Sequence, residues 1–260
     1  MGTRRIRHPA KYLSQVLWPG LLLLAAGACM PLPQEGGVAV SAGPMSDQWV
    51  IRVDPVLGTP TLMTNRTLQD LGAPDTAMVS DADAEAAVRA VFDEHPEWFR
   101  LRPRVDAFRL VRSYSRGWLR YLRFEQAYKG IPVGGAGYEA RVVSNGRVGT
   151  IEGRFHSDIA INVTPVLGPD QAEDRARDLF RPGTTPPSLP RLDFESLSRF
   201  DGSRALVIVP QGQSYVLAWG VVIQTSPPSI QSTYSRVYID ASTGAPLGVD
   251  VAGSSQPRPR

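Results

Sequence analysis

The most regular stretch of the chain runs from Gly117 to Phe155. In its first part Leu122, Phe124, Gln126 and Tyr128 fall on one side, with Tyr121, Arg123 and Glu125 on the other. That period of two is the signature of a strand with one buried face. Lys129-Gly130-Ile131-Pro132 then reverses the chain, and alternation resumes from Tyr138 to Val143. Ser144-Asn145-Gly146-Arg147 puts Asn-Gly at the tip of a second hairpin, where both residues tolerate the positive φ of a type I′ turn. Val148 and Ile151 carry on into a third strand, so the pattern predicts an antiparallel meander.

Elements of both kinds flank this meander. From Asp47 to Met63, Trp49, Ile51 and Val53 alternate before Asp54-Pro55 and Gly58-Thr59-Pro60 break the run, which predicts a strand and a turn. Ser80 to His95 reads as a helix with Ala84, Ala87, Val88, Val91 and Phe92 on one stripe. Ser80 or Asp81 would cap its start, Asp83 and Glu85 suit the positive end of the helix dipole, and Pro96 stops it. Trp98, Phe99 and Leu101 follow as core candidates. Beyond a linker at Asn162–Leu167, Asp170 to Phe180 reads as a second helix with Ala172, Ala176, Leu179 and Phe180 on one face. A loop at 182–190 follows, then strands at Arg204–Val209, Ser214–Gln224 and Ser232–Ile239. The last is closed by a turn in which Asp240 caps and Gly244 takes positive φ.

Charge changes the picture little. The formal net charge is +3, but residues 1–28 hold four basic residues and no acid, leaving 24 basic against 25 acidic residues elsewhere. No basic run with interleaved aromatic residues suggests nucleic acid, so no nucleic-acid partner is expected. The leader matters more. Met1 to Lys11 is basic and Val16 to Ala28 apolar. Its thirteen residues reach only about 20 Å as a helix, short of a ~30 Å hydrocarbon core. This is the pattern of a secretory signal peptide.

Leu24-Ala25-Ala26-Gly27-Ala28-Cys29 offers an Ala-x-Ala cleavage site and also resembles a bacterial lipobox. Either enzyme would cut before Cys29. Cys29 is the one cysteine of the chain, so it has no disulfide partner within it, and an unpaired thiol is a liability in an oxidising compartment. A thioether to lipid removes that liability, and two or three acyl chains anchor stably. The expectation is a chain held in the bacterial cell envelope by lipid on Cys29. Met30 rather than Asp after the cysteine resembles outer-membrane lipoproteins. Residues 29–46, rich in Pro, Gly and small residues, read as a tether.

Two segments carry a family resemblance. Arg123-Phe124-Glu125-Gln126-Ala127-Tyr128-Lys129-Gly130-Ile131-Pro132-Val133, with Ile151-Glu152-Gly153 after it, resembles the FTP module. That module opens the propeptides of fungalysin-like and thermolysin-like metallopeptidases. Tyr215, Leu217, Ala218 and Trp219, with Val237-Tyr238-Ile239-Asp240-Ala241 and Thr243-Gly244, resemble a PepSY module. The resemblance implies an α+β fold of two tandem helix-on-antiparallel-sheet modules, FTP-like over 47–160 and PepSY-like over 161–251. A signal peptide over 1–28 and the tether would precede them, and a tail over 252–260 would follow.

The peptidase that such propeptides precede has no counterpart here. The histidines are His8, His95 and His156, and no His-Glu-x-x-His occurs. Nor is there a Gly-x-Ser-x-Gly, a phosphate loop, a dinucleotide fingerprint or a Cys-x-x-Cys. His95 reads as a helix end and His156 as a loop residue. Glu125 and Glu152 read as ion-paired residues of a solvated sheet face. No catalysis, metal or cofactor is therefore expected.

The resemblance implies a binding protein that acts in trans on an exported thermolysin-like zinc metallopeptidase, as chaperone or inhibitor. Gln126, Tyr128, Gly130, Ile131, Pro132 and Val133 are its expected contact surface, and the extended tail could lie along a cleft by strand addition. An envelope adaptor unrelated to proteolysis, and the propeptide fragment of a zymogen whose catalytic part is missing, are the alternatives.

Overall fold

A computed structural model describes residues 48–68, 78–181, 188–192, 194, 204–224 and 234–251. Cys29, the leader, the tether and the 252–260 tail lie outside these residues. Among those described, no helix is long and apolar enough to cross a membrane.

The first half is an antiparallel sheet. It contains β1 (Trp49–Val53), β2 (Pro60–Asn65), β3 (Asp106–Arg116), β4 (Leu119–Tyr128), β5 (Ile131–Val143) and β6 (Val148–Arg154). The strand order is β1-β2-β6-β5-β4-β3. Helices α1 (Asp81–Glu94) and α2 (Pro96–Phe99) join β2 to β3. The Ser80 side chain accepts from Asp83 N at 3.1 Å and caps α1, whose stripe of Ala84, Val88, Val91 and Phe92 is buried.

Register fixes what each sheet face carries. On the inner face Met63, Ile151, Ala140 and Leu122 stand side by side on consecutive strands, beneath Phe92, Phe99, Phe108, Phe124, Tyr138 and Phe155. These rings meet edge-on or tilted at 4.2–6.2 Å. Burial of each contributes up to about 3 kcal/mol. The outer face holds other rows. Arg52, Leu62, Glu152, Glu139, Arg123 and Arg112 form one; Val50, Thr64, Thr150, Arg141, Tyr121 and Tyr114 form the next.

The second half holds α3 (Pro169–Leu179), β7 (Arg204–Gln211), β8 (Ser214–Gln224), β9 (Tyr234–Asp240) and β10 (Pro246–Val251). Ala172 and Ala176 of α3 pack on Val221, Ile223, Val237 and Ile239. Phe194 packs with Val207, Val209, Ala218 and Tyr238 in a separate cluster. Asp240 Oδ1 accepts from Ser242 N and Thr243 N at 2.7 and 3.0 Å, and Gly244 takes φ +78. The Asn162–Leu167 stretch is pinned: Val166 N and Leu167 N donate to Ala241 O, and Trp219 Nε1 donates to Leu167 O.

The fold thus mixes helix and strand with sheet predominating: ten strands against three α-helices among the described residues. The two halves are also joined. Val133 of β5 pairs with Ile208 of β7 in parallel, so all ten strands belong to one hydrogen-bonded assembly.

Both turns reverse the chain where expected, but the type I′ geometry is found at the first rather than at Asn145-Gly146. The two-residue turn with positive φ at both positions is Lys129-Gly130, at +49 and +83, between the paired residues Tyr128 and Ile131. At Asn145-Gly146 only the glycine has positive φ, and Val143 N donates to Arg147 O while Gly146 N donates to Val143 O. That is a three-residue loop ending in a left-handed glycine.

Candidate functional site

The residues from Arg123 to Val133 converge on the junction between the halves. β4 pairs Ala127 with Pro132 and Glu125 with Gly137, so Val133–Ala136 stand opposite Gln126 alone. This bulge detaches β5 from β4 for one turn of chain and lets Val133 reach β7. Gly137, at φ +140, ends it; a Cβ there would sit 2.1 Å from Phe124 O.

Gln126 fills the opening. Its Nε2 donates to His156 O at 2.7 Å and its Oε1 accepts from His156 N at 2.9 Å. The side-chain amide thus replaces the strand partner that the bulge removed, satisfying two buried backbone groups. His156 is itself buried, with Nδ1 3.1 Å from the Tyr215 hydroxyl of β8 and the rings edge-to-face at 5.4 Å. Burial, and then the like charge of Arg154, pull the imidazole down to about 4, so it is neutral at pH 7. Burial raises the Tyr215 hydroxyl. His156 does lie in a loop, past the end of β6 as expected, but it is a buried link between the halves. A lone histidine gives no period or motif that would have shown this.

A second polar group lies beside the hairpin. Arg102 donates from Nε and Nη2 to Asp106 at 2.8 and 3.0 Å and from Nη1 to Ile159 O at 2.8 Å. The Asp106 carboxylate is fully buried, and its hydrogen bond raises the Arg102 guanidinium further. The Tyr128 ring is flanked by Arg102 Cζ at 5.3 Å and Lys129 Nζ at 5.1 Å.

The expected contact residues divide accordingly. Gln126, Tyr128 and Val133 are buried; their side chains hold the hairpin and offer nothing to a partner. Ile131 and Pro132 are half-buried and Gly130 is exposed, so only the tip, with Lys129, presents itself to solvent. Glu125 is a further correction. Its side chain is 4% exposed and paired with Arg109 Nη2 at 2.6 Å, and burial raises its carboxyl despite that partner. Glu152 does stand on the half-exposed face, paired with Arg141 at 2.5 Å. His95 lies at the end of α1 and stacks on Trp98 at 3.6 Å. Among the described residues no three of His, Cys, Asp and Glu are grouped so as to hold a metal ion.

No family model matches the chain, and no curated protein matches it. Among solved structures it is similar to the Bacillus megaterium YpeB C-terminal domain. There the identity is 13%, the coverage 81% of this chain and 86% of that one, and the TM-score 0.38. It is also similar to the YpmB protein from Bacillus subtilis, at 15% identity, with coverage of 65% and 96% and a TM-score of 0.22. At scores this low the likenesses carry nothing about activity, partner or site.

Proposed function

We propose that the chain is a non-catalytic, propeptide-like protein that binds an exported thermolysin-like zinc metallopeptidase in trans, as chaperone or inhibitor. In this reading it is built from an FTP-like and a PepSY-like module and anchored by lipid on Cys29. The observation that supports it is how the FTP-like segment is used. Its buried residues, Gln126, Tyr128 and Val133, brace a hairpin whose tip alone is open to a partner. A tip held by a buried frame loses little freedom on binding, which favours recognition of a folded partner.

The test titrates the purified protein against a thermolysin-like zinc peptidase, measuring hydrolysis of a small substrate and the refolding yield of the denatured peptidase. Saturable inhibition or a raised yield at micromolar protein is expected. Unchanged activity and yield, with no complex by gel filtration, would sink the proposal.

A further inference from the structure

The outer face of the first sheet is not the evenly mixed surface of a merely solvated sheet. The row Arg52–Leu62–Glu152–Glu139–Arg123–Arg112 is followed towards the junction by Arg154, Gly137, Glu125 and Arg109. With Arg141 and Arg116 the face carries seven arginines against three glutamates, a surplus of four positive charges. On the opposite side of the same half α1 and α2 together carry six acids and one arginine, and with Arg120, paired to Asp81, and Arg100 at the end of α2 the balance there is still acidic. The chain's habit of using Arg for Lys explains the residue type. It does not explain why the two signs lie on opposite sides.

The face is also pre-ordered. Tyr114 and Tyr121 stack at 4.9 Å, the Arg112 guanidinium lies 4.8 Å from the Tyr114 ring centre, and the Arg141 guanidinium lies 5.7 Å from that of Tyr121. Cation, ring, ring and cation thus form one stack across three strands, fixing long side chains before any partner arrives. Trp118 stands 37% exposed at its border. Beside it a half-open recess of about 280 Å³, lined among others by Leu119, Arg141, Val143 and Thr150, would accept a side chain.

We propose that this face docks an acidic patch of a protein partner. Arg, Tyr and Trp are the residues in which binding energy concentrates at protein interfaces, where Lys is depleted, and no lysine lies on these rows. An anionic membrane would call for flexible, snorkelling cations; the stacked guanidinium groups here are held by rings instead. The inference does not require the partner to be a peptidase.

The test places a photo-cross-linking phenylalanine derivative at Trp118 or Tyr121 of the full chain in its source cells, with Asp93 on the helix side as control. Isolated envelopes are irradiated and the adducts identified by mass spectrometry. The expected result is a protein adduct from the two sheet positions alone, joined to a segment rich in Asp and Glu. Its yield should fall roughly tenfold in about 0.5 M salt. It should fall similarly in R112E/R116E, both exposed positions, and stay unchanged in D93K/E94K. A melting curve of each variant separates lost docking from lost folding. No adduct, a lipid adduct, a segment without excess acid, or a yield indifferent to salt and to charge reversal would overturn the inference.

Discussion

Replacing Gln126 tests whether the 123–133 segment works as a structural brace. In Gln126→Leu the volume is nearly kept, but His156 N–H and C=O both lose their partner. Each orphaned buried group costs about 1–3 kcal/mol. The carbonyl, with two lone pairs, falls at the low end, so the total is roughly 3–4 kcal/mol. Urea unfolding followed by tryptophan fluorescence would report it as a lower midpoint at unchanged slope. Gln126→Glu sharpens the test. It keeps an acceptor for His156 N–H but sets a carboxylate against His156 O, so at pH 7 it should be at least as damaging as leucine. As the pH falls the protonated acid can donate, and the gap to the wild type, measured at the same pH, should close. A loss below about 1 kcal/mol for leucine, or a glutamate variant equal to the wild type at neutral pH, would refute the brace.

Three further outcomes follow from the same region. His156, depressed from 6.5 to about 4 in the fold, contributes stability that is full above pH 6.5 and lost as the pH falls through 4, since the unfolded chain takes up the proton first. That loss is worth about 3 kcal/mol, so wild type minus His156→Gln unfolding free energies should narrow by this amount between pH 7 and 4; a constant difference would contradict it. Gly137→Ala, with its Cβ 2.1 Å from Phe124 O at φ +140, should cost at least about 2 kcal/mol by thermal or urea unfolding. Lys129→Gly relieves a left-handed turn residue worth about 1 kcal/mol and forfeits an exposed contact of Lys129 with Tyr128 worth about 0.5 kcal/mol, so melting should show a small net gain.

Much of this fold was legible in the chain. The alternation around Leu122 and Phe124, the stripe of α1 with its Ser80 cap, and the Asp240 turn each follow from local periodicity or local hydrogen bonding, which sequence displays directly. β3 escaped because its bulge between Leu110 and Arg112 breaks the alternation there. β2 and β10 begin at prolines, Pro60 and Pro246; Pro60 reads as part of a turn, and Pro246–Val251 shows no alternation that marks a strand. The turn at Asn145-Gly146 departs from the preference of its dipeptide because loop length, set by the pairing of Val143 with Arg147, overrides it. The burial of Gln126 follows the alternation of its strand, whereas that of His156 depends on a contact between the halves, with Tyr215, 59 residues apart. No pattern within a window of neighbouring residues records such a contact.

The peptidase reading stands or falls on what the chain holds in its own envelope. The most direct measurement is affinity purification of the tagged full chain from source membranes, with bound proteins identified by mass spectrometry. A parallel preparation would have the tip Lys129-Gly130-Ile131 replaced by Asn-Gly-Thr, which keeps the turn and changes its surface. A zinc peptidase should be bound to the wild type and depleted from the tip variant. Wall or membrane proteins alone, retained equally by both, would contradict the peptidase reading.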